Sequence, residues 1–191
     1  MVGYLYRNHI LEEELNLTIT MKTIILPGYS VHNRKWAEEI AVNLRKNIGN
    51  EVVIHEWRHW KDPSLSLSIS KEIKKIIEEI GIEKVNIIAK SVGVYMAFKL
   101  IPIISEKVDK IIFCGIASVG GGDRNILLQA ILKKISVRNI LCLQNEQDKF
   151  VPFTEAEKFY HSVEPSLKVI SKPRTDHEYP YFSEFKNFLE S

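Results

Sequence analysis

VNIIAKSVGVYMAFKLIPII, residues 85–104, decides how the rest of the chain is read. Val85–Ala89 is a short, mostly apolar run, the pattern of a strand covered on both faces. Val92–Ile104 is almost wholly apolar and is expected as a helix buried on most sides. Ser91 stands between them, with Ala89 two residues before it and Gly93 two residues after it. Small residues at those positions allow a very sharp turn, which lifts the serine hydroxyl above the sheet edge without a clash against neighbouring backbone. A serine that opens a helix also serves as an N-cap, so the surroundings of the turn must decide between the two roles.

Moving outward, the same alternation recurs. Thr23–Leu26 reads as a strand ending in Pro27-Gly28, and Asn33–Asn47 as a helix with Trp36, Ile40, Ala41 and Leu44 on one face and Gly49 as its stop. Glu51–Trp57 is strand-like. Ser68–Ile80 is an amphipathic helix with Ile69, Ile73, Ile76, Ile77 and Ile80 on one side. Beyond the central stretch, Val108–Ala117 is a strand, Gly120–Gly122 a loop, Asn125–Ile135 a helix and Arg138–Leu143 a strand. Thr154–Val163 is a helix in which Thr154 and Glu157 have the spacing of a capping box. Leu167–Ile170 and Tyr181–Leu189 complete the series as a strand and an amphipathic helix. Six β-α units after Met21 predict an α/β fold, a three-layer α/β/α sandwich around a mostly parallel sheet. Connections are short and leave little room for a cap domain. The expected organisation is one domain over residues 21–191. Residues 1–20 are either a leading strand or hairpin or a dispensable extension.

The chain has 191 residues, 45% of them hydrophobic and 26% charged, with a formal net charge of +2. Basic residues are scattered among acids, which argues against a nucleic-acid surface. No apolar run approaches the roughly 20 residues that cross a bilayer. Glu12–Glu14 stand where a signal peptide needs an apolar stretch. Cys114 and Cys142 lie in strand-like apolar runs and fit a reducing compartment, so a cytoplasmic protein is expected. No G-x-G-x-x-G or G-x-x-x-x-G-K-[ST] follows a strand, and no nucleotide cofactor is expected. His55, His59 and Asp62 are a conceivable metal set. Their i, i+4 spacing suits a helix, however, whereas His55 falls in a strand, so no metal is expected either. Trp57 and Trp60 either line a pocket or pack at the sheet edge.

Four segments stand at the C-terminal ends of strands, the edge where open α/β sheets place their sites. They are Leu26-Pro27-Gly28-Tyr29-Ser30, Ala89-Lys90-Ser91-Val92-Gly93, Asn145-Glu146-Gln147-Asp148-Lys149-Phe150-Val151-Pro152 and Asp176-His177-Glu178. Together they resemble the α/β-hydrolase superfamily, in its small, capless, single-domain form, over residues 21–191. The serine turn resembles the G-x-S-x-G elbow with Ala89 for the first glycine. The first segment resembles the family's H-G-x loop with Pro27 for the histidine.

That resemblance implies Ser91 as nucleophile, His177 as the base and Asp148 as the acid that orients it, in the chain order this fold uses. Glu146 and Asp123 are weaker substitutes for the acid. It also implies an oxyanion hole from the backbone N–H groups of Tyr29 and Val92. His32, near the first segment, lines the site in this reading. Lys90 adds positive charge beside the nucleophile or is simply solvated. The implied function is a cofactor-independent serine hydrolase acting on a small carboxylic ester or related acyl substrate through a serine ester. The alternatives are a binding or scaffold protein that keeps the fold with little activity, with a protein as partner, and an acyltransferase using an acceptor other than water.

Overall fold

Apolar strand runs and one-sided helices alternate as the pattern predicts. The computed structural model describes residues 21–120 and 122–191. The expectations for residues 1–20 and for Gly121 lie outside them. Six strands, β1 (Met21–Leu26), β2 (Glu51–Ile54), β3 (Lys84–Lys90), β4 (Val108–Cys114), β5 (Ile140–Asn145) and β6 (Lys168–Lys172), form one sheet in the order β2-β1-β3-β4-β5-β6. Every pairing is parallel. Among the described residues seven helices accompany them, six between strands and the last after β6: α1 (Asn33–Ile48), α2 (Arg58–Lys61), α3 (Ile69–Ile80), α4 (Val92–Ile104), α5 (Arg124–Leu132), α6 (Phe153–Val163) and α7 (Phe182–Glu190).

The period of two along a strand divides the interior into two cores. Ile24, Ile87, Ala89, Ile111 and Phe113 face one side, where α3, α4, α5 and α6 cover them. Ile25, Ile88, Ile112 and Cys114 face the other, under Trp36, Ile40 and Leu44 of α1 and Phe185 and Leu189 of α7. Right-handed crossovers account for this division. The chain steps one way from β1 to β2 and the other way from β2 onward, so α1 lies on the opposite face from α3 to α6. Directions diverge at β1 and β3, and the crevice outside the carboxyl ends of those two strands is the switch point where such sheets hold ligands.

Some boundaries differ from the sequence reading. β2 stops at Ile54 rather than Trp57, because the next side chains are tied elsewhere. His55 lies between Glu79 Oε2 at 2.7 Å and Glu72 Oε2 at 3.1 Å, and the Trp57 indole is fully buried against the end of β1. The short helix α2 follows. β4 ends at Cys114, since Gly115 leaves the strand with φ of +61°. Ahead of β5, Val137–Asn139 form a 3₁₀ turn. Thr154 does not cap α6: the helix begins at Phe153, with Pro152 before it and no side-chain cap. The fixed φ of Pro152 sets the entry two residues earlier than the capping box implied, with Pro152 rather than Thr154 at the N-cap position.

Candidate active site

Ser91 is the single residue between β3 and α4. Its φ of 59° and ψ of −119° make it the one non-glycine residue with positive φ among the described residues. Such backbone costs about 1–3 kcal/mol and persists only where the surroundings impose it. The Ser91 N–H donates to Cys114 O across β3 and β4 at 3.2 Å, and the Val94 N–H to Ser91 O at 3.0 Å. Gly93 completes the turn. A Cβ there would lie 2.0 Å from Leu26 O, so α4 approaches β1 to a distance that only glycine allows.

The turn after β1 is held by its carbonyls. Trp57 Nε1 donates to Pro27 O at 3.2 Å and Gly28 O at 3.1 Å. Trp60 Nε1 and His59 Nε2 donate to Tyr29 O at 2.7 and 2.8 Å. The two tryptophans thus neither line the cavity beside Ser91 nor merely pack at the sheet edge; they orient the peptide planes of this turn. The Tyr29 N–H is left without an acceptor among the described residues. The Val92 N–H, first in its helix, has no partner within that helix. The Tyr29 ring is 51% exposed and stacks on His59 at 4.2 Å.

Asp148 follows β5 and is 3% exposed. Its Oδ2 accepts from His177 Nδ1 at 2.6 Å and from the Tyr179 hydroxyl at 2.6 Å, and its Oδ1 accepts from the Phe150 N–H at 2.9 Å. Burial raises the carboxyl's pKa, but the hydrogen bonds from His177, Tyr179 and Phe150 outweigh it and hold the group below its ordinary range. Burial, reinforced by Asp148, pushes the Tyr179 hydroxyl well up. Asn145 Nδ2, at the end of β5, clamps the loop after β6, donating to Asp176 O at 2.8 Å and Glu178 O at 2.9 Å.

The His177 ring sits between Phe150 and Tyr179, at 4.6 and 5.7 Å, both edge to face. Its Cε1 lies 3.0 Å from where a Cβ on Gly115 would stand. Gly115 follows Cys114, the register partner of Lys90, so the imidazole stands over the same sheet edge from which the Ser91 turn rises. His177 Nε2 is buried and has no hydrogen-bond partner among the described residues.

The other sequence candidates lie apart from this cluster. Asp123 pairs with Lys99 and Glu146 is exposed, and neither touches His177. His32 is exposed at the start of α1. Among the described residues no three His, Cys, Asp or Glu side chains are placed to hold a metal. His55 is bonded to Glu72 and Glu79, while His59 serves the Tyr29 turn. No described helix is long and apolar enough to cross a membrane. Lys90 corrects the expectation of a solvated side chain: it is 1% exposed. Tyr179 and Gly115 escaped the sequence reading. Tyr179 carried one signal, an aromatic residue two positions beyond the candidate histidine.

A cavity of about 170 Å³ opens beside Ser91. Val94, Tyr95 and Phe98 of α4 and Ile116 after β4 supply most of its wall, with Ser118 and Arg124 also lining it.

No family model matches the sequence, and no curated protein matches it. Solved structures are similar over most of the chain. An α/β serine hydrolase without a lid from Xanthomonas campestris is 15% identical, with 92% of this chain and 82% of that one covered and a TM-score of 0.63. A bromoperoxidase from Bacillus anthracis is 14% identical, with 90% and 92% covered and a TM-score of 0.66. An α/β serine hydrolase homologue from Coxiella burnetii is 18% identical, with 88% and 83% covered and a TM-score of 0.65. At these identities the likeness is one of architecture, and with six parallel strands in this order the protein has the α/β-hydrolase fold, with no lid inserted among the described residues.

Proposed function

We propose that the protein is a cofactor-independent serine hydrolase that cleaves a small carboxylic ester or related acyl substrate. The observation that carries this reading is the orphaned His177 Nε2. A buried nitrogen with no partner among the described residues, on a ring whose other nitrogen is bonded to Asp148, is poised for an incoming proton. In this reading Ser91 Oγ attacks the substrate carbonyl carbon, and its proton passes to His177 Nε2. Asp148 keeps Nδ1–H in place and stabilises the imidazolium without taking its proton. The Tyr29 and Val92 N–H groups receive the negative charge that develops on the carbonyl oxygen. Collapse expels the alcohol, which takes the proton back from Nε2 and leaves a serine ester. Water, deprotonated by the same nitrogen, then releases the acid and frees Ser91.

The cavity sets the scale of the substrate. At about 170 Å³ and largely apolar, it is close to the roughly 150 Å³ cavity that accepts benzene. An uncharged group of up to six carbons beside the scissile bond fits it. The test is a panel of p-nitrophenyl esters from acetate to decanoate with benzoate, run beside thioesters and anilides, with folded Ser91→Ala as control. Turnover that peaks at or below a six-carbon or benzoyl group and vanishes in the control supports the reading. Turnover that survives in Ser91→Ala refutes it, and a complete absence of turnover favours a binding protein on the same fold.

A further inference from the structure

Lys90 precedes Ser91, yet its side chain runs down the face of the sheet covered by α1 and α7 and is 1% exposed. Burying an ammonium is costly, and an apolar side chain of similar size often serves stability as well or better. The groups around this one are few and specific. Lys90 Nζ donates to Glu178 Oε2 at 2.9 Å and to Asn33 Oδ1 at 2.9 Å. It also lies 5.2 Å from the centre of the Trp36 ring, a cation–π contact.

Each partner adjoins a different part of the site. Glu178 follows His177 directly. Asn33 donates from Nδ2 to Ser30 O at 3.0 Å, and its amide lies 2.7 Å from where a Cβ on Gly28 would stand. It is therefore packed into the turn that presents the Tyr29 N–H. Trp36 donates from Nε1 to Tyr179 O at 2.9 Å, on the same loop as His177. One ammonium thus joins three loops that belong to different strands and share no backbone hydrogen bond at this point.

We propose that Lys90 is a positioning residue: its ammonium ties the loops bearing Ser91, His177 and the Tyr29 N–H together and sets the geometry in which they react. The proposal rests on the serine-hydrolase reading above. It assigns Lys90 no contact with substrate and no proton transfer. Its effect falls on kcat, because a displacement of about 1 Å among reacting groups costs on the order of 10²-fold in rate.

The experiment compares wild type, Lys90→Met, Glu178→Ala, Glu178→Gln and the double variant Lys90→Met/Glu178→Ala. Three quantities are read: kcat and KM for the best ester, the rate at which a fluorophosphonate labels Ser91, and the melting temperature. Lys90→Met is expected to lower kcat and the labelling rate by about 10²-fold with KM little changed. Glu178→Ala lowers them less, and Glu178→Gln, which keeps an acceptor, less still. The double variant should be no slower than Lys90→Met alone, since the two residues act as one unit. Glu178 is 59% exposed, so its variants carry the test if Lys90→Met does not fold. Wild-type kcat and labelling in variants that lose only melting temperature overturn the proposal and leave Lys90 a structural ion pair. If wild type itself is not labelled at Ser91, the serine-hydrolase reading falls first and the tie falls with it.

Discussion

Gly93→Ala adds one methyl group at the point where α4 meets β1. The new Cβ would stand 2.0 Å from Leu26 O, 2.7 Å from Leu26 C and 3.0 Å from Pro27 O. All three are backbone atoms, so no rotamer change relieves the clash. Non-bonded heavy atoms settle at about 3.5 Å, so the two segments must part by about 1.5 Å. β1 resists such movement, because it is paired on both sides and Leu26 is fully buried. Overpacking of this kind costs about 1–3 kcal/mol, which in a domain this size lowers the melting temperature by about 2–12 °C. The strain also falls three residues from Tyr29. Moving its N–H by about 1 Å away from the developing oxyanion lowers kcat on the order of 10²-fold. The assay is a thermal melt with steady-state kinetics on the preferred ester, and Gly120→Ala serves as control, since its Cβ would meet nothing within 4 Å. Wild-type melting temperature and kcat in Gly93→Ala refute both the close approach and its role in holding the Tyr29 turn.

Asp148→Asn is expected to lower kcat by as much as about 10⁴-fold, while Asp123→Asn, which only breaks the pair with Lys99, leaves kcat near wild type; steady-state kinetics of the two variants that give the reverse order move the acid to the loop after β4. The folded Asp148 carboxyl titrates below its ordinary value of about 3.9, so its stabilisation is complete above about pH 4 and is lost as pH falls through the lower folded value. Urea midpoints measured from pH 2 to 6 should therefore fall less steeply in Asp148→Asn, and an unchanged slope contradicts this. Tyr179→Phe removes one hydrogen bond from Asp148 and strands the buried Asn145 N–H that the hydroxyl accepts, a loss of about 1–3 kcal/mol readable in the urea midpoint. Burial pushes the Cys114 thiol up to about 12 and Cys142 higher still, so neither should react with a thiol reagent at pH 8 until the protein unfolds; rapid native labelling speaks against their placement in the core.

The sheet was legible because its strands are short, continuous apolar runs separated by helices of clear periodicity. The elbow was legible because the turn demands small residues on both sides of Ser91, and such a demand is written locally. Asp148 and His177 could be singled out by their places after successive strands, but the 2.6 Å contact between them spans 29 residues of chain and has no local signature. Tyr179 escaped for that reason, since its hydroxyl meets Asp148 and the Asn145 N–H only once β5 and β6 are paired. Lys90 was misread because a lysine beside an exposed turn looks solvated. Its burial depends on Asn33 and Glu178, far away in sequence, converging on one point. Trp57 and Trp60 betrayed their apolar bodies but not their N–H groups, whose acceptors lie in the turn after β1. The capping box at Thr154 failed because Pro152, two residues upstream, decides where α6 begins.

The central claim is that Ser91 is a nucleophile activated by His177. Its most direct test is covalent labelling with a fluorophosphonate, followed by intact-mass analysis and peptide mapping. The account predicts one adduct per chain, located on Ser91, absent from Ser91→Ala and formed far more slowly in folded His177→Ala. An unlabelled wild type, an adduct on another residue, or equal labelling in His177→Ala contradicts it.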